Sequence, residues 1–102
     1  MIRHVVLCKF KPDVDEMEIQ RIFAALSGLK ADIPGILGIT AGRDMSPEGL
    51  QRGFTHGFTV DFEDEAARDA YLPHPEHQKV GQMIVAACAG GVEGLVVVDW
   101  VV

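Results

Sequence analysis

The chain moves between two rhythms of apolar spacing. From Ile2 to Phe10 the period is two: Ile2, His4, Val6, Cys8 and Phe10 fall on one side, and Arg3, Val5, Leu7 and Lys9 on the other. This predicts a strand whose second face is apolar in its middle, ended by Pro12. Asp15, with Glu18 three residues on, has the form of a helix N-cap and capping box. Ile19, Ile22, Phe23, Leu26 and Leu29 then recur at helical spacing and predict a helix over 16–30 with one apolar stripe. Ile33-Pro34-Gly35 breaks it, and 36–41 reads as a second strand. The stretch 42–53 is polar, turn-rich and too long for a tight hairpin, so it predicts an excursion. A third strand over 54–62 alternates cleanly, with Phe54, His56, Phe58, Val60 and Phe62 inward and Thr55, Gly57, Thr59 and Asp61 outward. Asp64 caps a short helix that reaches Tyr71 and stops at Pro73. Pro75 suits the first turn of another helix, with His74 near its cap. That helix runs to Ala89 and carries His77, Val80, Ile84 and Ala87 on one stripe, with Met83 beside it. Gly90-Gly91 ends it, and 92–102 forms the last strand.

Strand, helix, strand, strand, helix, strand is the order of an α+β, ferredoxin-like βαββαβ fold: an antiparallel sheet with helices on one face. The last strand then poses a problem. Val92, Val96, Val98, Trp100 and Val102 lie on one face, and Leu95, Val97 and Val101 on the other. Only one face can meet the helices. Leaving the other in water forfeits roughly 1.5–3 kcal/mol per large side chain and makes a patch that monomers rarely carry. A second copy, packing sheet on sheet or exchanging the last strand, removes the difficulty.

Composition narrows the classes. The 102 residues predict a single domain over 1–102, and 48% hydrophobic content is enough for a core without metal or disulfide staples. A net charge of −6 argues against nucleic acid and against anionic membranes, both of which call for a basic face. The longest apolar region, 83–102, is broken by Gly90, Gly91, Glu93, Gly94 and Asp99, whereas a membrane span takes about 20 uninterrupted apolar residues. Cys8 and Cys88 lie far apart in apolar surroundings and read as buried free thiols. That suits a reducing compartment, and the strand pattern begins too early for a signal peptide, so a cytoplasmic location is expected.

The candidate chemistry sits in Tyr71-Leu72-Pro73-His74-Pro75-Glu76-His77, which places a phenol and two imidazoles within seven positions. His4 and His56 point inward from their strands, which predicts a small-molecule pocket lined by His4, His56, Tyr71 and His77. Phe23, Leu26, Val80 and Ile84 belong to the core and also suit its apolar wall. A neutral imidazole takes a proton, and a phenol donates to a carbonyl oxygen that gains negative charge. Together they suit proton abstraction beside a carbonyl, with aldol closure or lyase chemistry to follow. They equally suit plain binding of a phenol or a carbonyl compound. His74 and His77 with Glu76 between them make an incomplete metal set, because Pro75 puts His74 outside the regular helix and no cysteine cluster helps; no metal is expected. The glycines at 90, 91 and 94 follow a helix and precede a strand, the reverse of the order in a phosphate loop.

These landmarks carry a resemblance: Arg3-His4-Val5-Val6 early in the first strand, Leu29 to Gly35 closing the first helix, Gly53-Phe54-Thr55-His56, and the Tyr-x-x-His-Pro-x-His run. Over almost its whole length the chain resembles the stress-responsive A/B barrel (Dabb) family, the dimeric α+β barrels. The resemblance implies a homodimer joined through its sheet faces and C-terminal strand, with a pocket between sheet and helices in each subunit. It also implies cofactor-independent cyclase or lyase chemistry on a carbonyl or polyketide-like substrate. In that scheme His77 is the general base, Tyr71 fixes the carbonyl, and His4 and His56 shape the polar end. The wall formed by Phe23, Leu26, Val80 and Ile84 need not match that of a polyketide cyclase, so the substrate does not carry over. The competing reading is a non-enzymatic stress-responsive or ligand-binding dimer. Cofactor-free monooxygenase activity is more distant, by analogy of fold alone.

Overall fold

The computed structural model describes residues 1–102. Four strands form one antiparallel sheet: β1 (Ile2–Cys8), β2 (Ile36–Arg43), β3 (His56–Phe62) and β4 (Leu95–Val101), in the order β2-β3-β1-β4. Three helices, α1 (Glu16–Asp32), α2 (Glu65–Tyr71) and α3 (Pro75–Ala87), cover one face, so the ferredoxin-like α+β architecture is present. The core is built as the two periodicities predict. Ile2, Val6, Cys8, Phe58, Val60 and Phe62 from the sheet are buried against Ile19, Ile22, Phe23, Leu26 and Leu29 of α1 and Val80 and Ile84 of α3.

The helix starts are chemically explicit. Asp15 accepts the Glu18 amide at 2.9 Å. Glu18 turns its carboxylate to Arg21 at 2.7 Å rather than back to the cap, so only half of the predicted box forms. Asp64 accepts the Ala67 amide at 2.9 Å, and His74 caps α3 by accepting the Glu76 amide on Nδ1 at 3.1 Å, ahead of Pro75.

Several boundaries differ from the sequence expectation: α1 and β2 each run two residues further, to Asp32 and Arg43, α3 stops at Ala87 rather than Ala89, and three further shifts have a visible cause. β1 stops at Cys8, and Phe10 makes only an isolated bridge to Cys88, because the Lys9 backbone turns to bond Gly94 and Ala89. β3 begins at His56, since Phe54 is held in a turn by Gln51 and its ring lies beneath the Lys9 ammonium at 4.8 Å. The last strand begins at Leu95, because Gly91–Gly94 closes a short 3-10 turn. Cys8 and Cys88 are fully buried free thiols. Donation of the Cys8 S–H to the Cys88 sulfur, together with burial, pushes the Cys8 thiol up.

The uncovered face of the sheet is mixed. Arg3 pairs with Asp61 and Thr40 with Thr59 across the strands. Leu7, Val96, Val98 and Trp100 are exposed there at 40%, 37%, 49% and 50%, a contiguous apolar patch on β1 and β4. No helix of the chain is long and apolar enough to cross a membrane.

Candidate functional site

The site begins at the corner between α2 and α3. Burial decides the position of Tyr71: it is 1% exposed at the end of α2, stacked edge-on to Phe62 of β3 with ring centroids 4.9 Å apart. Leu72 and Pro73 end α2, leaving the last carbonyls of that helix without helical partners. The Leu72 carbonyl accepts both His77 Nδ1 and Gln78 Nε2 at 2.9 Å. A carbonyl can only accept, so the His77 proton sits on Nδ1 and the neutral ring keeps a bare lone pair on Nε2. Desolvation holds His77 below the ordinary histidine value, against the opposing pull of the Leu72 carbonyl; nearby His4 and His74 add smaller downward pushes. The His77 ring lies 4.0 Å from that of Tyr71 at an interplanar angle of 34°.

On the sheet side, His4 is buried on β1, its ring 6.1 Å from that of Tyr71. Its Nδ1 donates to Asp99 Oδ1 at 2.7 Å, and Arg68 holds the other oxygen of Asp99 at 3.0 Å while also pairing with Asp69. Asp99 stands directly opposite His4 in the β1–β4 ladder. The chain Arg68–Asp99–His4 therefore leaves His4 Nε2 as the free nitrogen, as the Leu72 carbonyl does for His77. Burial raises the Tyr71 phenol, which stays protonated and able to donate. Tyr71 lines the cavity, and its hydroxyl has no protein hydrogen-bond partner.

These groups line a cavity of about 530 Å³ between α3 and the β1–β4 side of the sheet. That volume falls within the roughly 300–1,000 Å³ of small-molecule sites. Of the eight residues expected at one site, His4, Tyr71, His77, Leu26, Val80 and Ile84 meet here. His56 and Phe23 do not. His56 pairs with Cys8 in the ladder, four positions along β1 from His4, which is about 13 Å at strand rise. Its Nε2 donates to Glu16 at 3.0 Å and its Nδ1 meets the Thr55 hydroxyl at 2.9 Å, so both nitrogens are occupied. Phe23 packs at that same end, its ring near those of Phe10, His56 and Phe58. The convergence of four polar rings expected from strand phase is thus a convergence of three.

Asp99 and Arg68 belong to the site although apolar spacing did not single them out. A signal for Asp99 was present: it is the lone acid in phase with Leu95, Val97 and Val101, on the face of β4 that meets β1's inward residues. The lining contains no lysine, arginine or carboxylate, and its only ionisable groups are the two imidazoles and the phenol. No three histidine, cysteine or acidic side chains gather as metal ligands. The arrangement can accept a proton at two imidazole nitrogens and donate one from a phenol, in a chamber otherwise lined by apolar side chains, Gly81 and the uncharged amides of Gln78 and Gln82.

A family model described as the Stress responsive A/B Barrel Domain matches residues 2–102. Among curated proteins, the chain is 28% identical over 99 residues to the stress-response A/B barrel domain-containing protein HS1 of Arabidopsis thaliana, covering 97% of this chain and 87% of that one. It is 27% identical over 82 residues to olivetolic acid cyclase of Cannabis sativa, covering 80% and 81%. Among solved structures, a dimeric ferredoxin-like protein from Jannaschia sp. CCS1 superposes with a TM-score of 0.90 at 35% identity, covering 99% and 98%.

Proposed function

Because the chain belongs to the stress-responsive A/B barrel family, we propose that it is a homodimer whose subunits each bind a neutral carbonyl compound in the α3–sheet cavity and act on it by cofactor-independent acid–base chemistry of the cyclase or lyase type. The observation that carries this reading is the fixed pair His77 and Tyr71. The imidazole keeps Nε2 bare because Nδ1 is tied to Leu72, and the phenol beside it has no protein partner. Nε2 of His77 removes a proton next to the carbonyl, and the Tyr71 hydroxyl donates to the oxygen as it turns toward an enolate. Burial keeps His77 neutral and Tyr71 protonated, the states these two roles need. His4, oriented by Asp99, offers a second nitrogen at the polar end, for a ligand hydroxyl or for the return of the proton. The similarity to olivetolic acid cyclase supports the reaction class. The uncharged lining favours a neutral ligand core over a carboxylate or phosphate.

The test compares the parent with His77→Ala and Tyr71→Phe on panels of aromatic and 3-oxo compounds, measuring binding and turnover separately. Loss of His77 is expected to lower kcat by about a hundredfold or more while leaving binding within a few fold. Turnover by both variants at the parental rate would remove the catalytic assignment. Binding without turnover by the parent would establish the ligand-binding reading instead.

A further inference from the structure

Gly81 stands in the middle of α3, one helical turn beyond His77, where glycine is disfavoured relative to alanine. Neither backbone strain nor crowding explains it. Its φ lies outside the left-handed range, and a Cβ built there meets only one atom within 4 Å, His77 Nε2 at 3.9 Å, which is ordinary contact. Alanine would fit the fold. What alanine would take up is the space against the one nitrogen of His77 that no protein group occupies, and Gly81 lines the same cavity. We infer that Gly81 is a specificity-determining residue, whose missing side chain holds open the seat beside His77 Nε2 for the proton-bearing atom of the ligand. The inference rests on the reading of His77 as the base. It adds that the ligand atom approaches His77 over Gly81, along the α3 side of the cavity, so a residue with any side chain at 81 narrows the substrates accepted to those unsubstituted at that atom.

The test reads access to Nε2 without knowing the ligand. Diethyl pyrocarbonate acylates a bare imidazole nitrogen: the N–C bond forms, ethyl carbonate leaves and decays to ethanol and carbon dioxide, and the Nδ1 proton passes to buffer. The carbethoxylation rate of His77 is followed by peptide mass spectrometry, with N-acetylhistidine in the same tube as reference. Gly81→Ala is expected to slow His77 at least about fivefold, the equivalent of roughly 1 kcal/mol on the barrier. Gly28→Ala is the control, since Gly28 is also inside a helix and a Cβ there meets nothing within 4 Å. It is expected to leave the rate unchanged. Gly81→Ser, whose hydroxyl reaches the same nitrogen, is expected to slow His77 as well and stands in if the alanine variant does not fold. An unchanged rate in the folded Gly81 variants, or equal slowing in Gly28→Ala, overturns the inference. Neither result depends on turnover, so failure here is distinct from failure of His77 as a base.

Discussion

A histidine becomes a usable base when one nitrogen is committed and the other is not. His77 meets this condition through a backbone carbonyl, and His4 through a carboxylate that an arginine holds in place. His56 does not, although it is the most regularly placed of the three in sequence, because Glu16 and Thr55 occupy both of its nitrogens. The environment of His77 has a consequence for stability. Desolvation lowers its value in the folded state below the ordinary 6.5, so the unfolded chain binds the proton more readily. Stability therefore rises with pH through the window between the lowered folded value and about 6.5, and acidification through that window is destabilising. In His77→Gln the amide can still donate to the Leu72 carbonyl, but the titration is gone. Urea midpoints measured from about pH 7.5 down to about pH 5 should fall less steeply in this variant than in the parent. A parallel fall in the two would show that His77 titrates alike in the folded and unfolded chains.

At the scale of elements, the site depends on how α2 is set down. Gly35, between α1 and β2, has φ +91°, and a Cβ there would come 2.6 Å from the Cβ of Ala67 on α2. The Gly35 carbonyl also takes the Glu63 amide at 3.0 Å, just before α2 begins. The glycine thus lets α2 lie close enough for Tyr71 to reach Phe62 and for the Leu72 carbonyl to meet α3. Gly35→Ala combines an unfavourable backbone region with a clash, and is expected to cost about 2 kcal/mol or more in chemical denaturation. Its ligand affinity should fall with it, since α2 must move. A variant as stable as the parent would show that α2 can be carried without this close approach.

At the scale of the whole molecule, the uncovered sheet face is the surface on which we propose that a second copy packs. Leu7, Val96, Val98 and Trp100 leave a third to a half of their surface in water, and the Jannaschia neighbour is dimeric. Stacking two such faces buries the exposed part of each side chain for roughly 1 kcal/mol apiece. It also covers β4 on the side away from the cavity, and so steadies the strand that carries Asp99. Val98→Asp places a charge at the centre of this patch. Sedimentation should show the parent at twice the chain mass at micromolar concentration and the variant at the chain mass. A parent that sediments as a single chain would remove the sheet-face interface. Because Asp99 is next in sequence, the variant should also bind cavity ligands more weakly.

Much of this was legible from spacing. Alternation assigned faces correctly to His4, Val6, Phe58, Val60 and Phe62, and the helical stripe from Ile19 to Leu29 is buried as expected. Asp15, Asp64 and His74 announced the helix starts through local chemistry. Both faces of the last strand being apolar pointed to a second copy. These features are local, or follow from one repeating period, so a single stretch of chain contains them. What spacing leaves open is position along a strand. Period two says that His4 and His56 face the same side, but only the register puts them at opposite ends of the sheet. The same register sets Asp99 against His4, 95 residues away, and the fold of the α2–α3 corner brings the Leu72 carbonyl to His77. Spacing settled the inward face of the strand and helix interiors, though not of strand ends such as Phe54, and named the chemistry those residues can offer. Which of them meet was decided by the tertiary structure, because register and helix docking are fixed by the packing of the whole core rather than by any stretch within it.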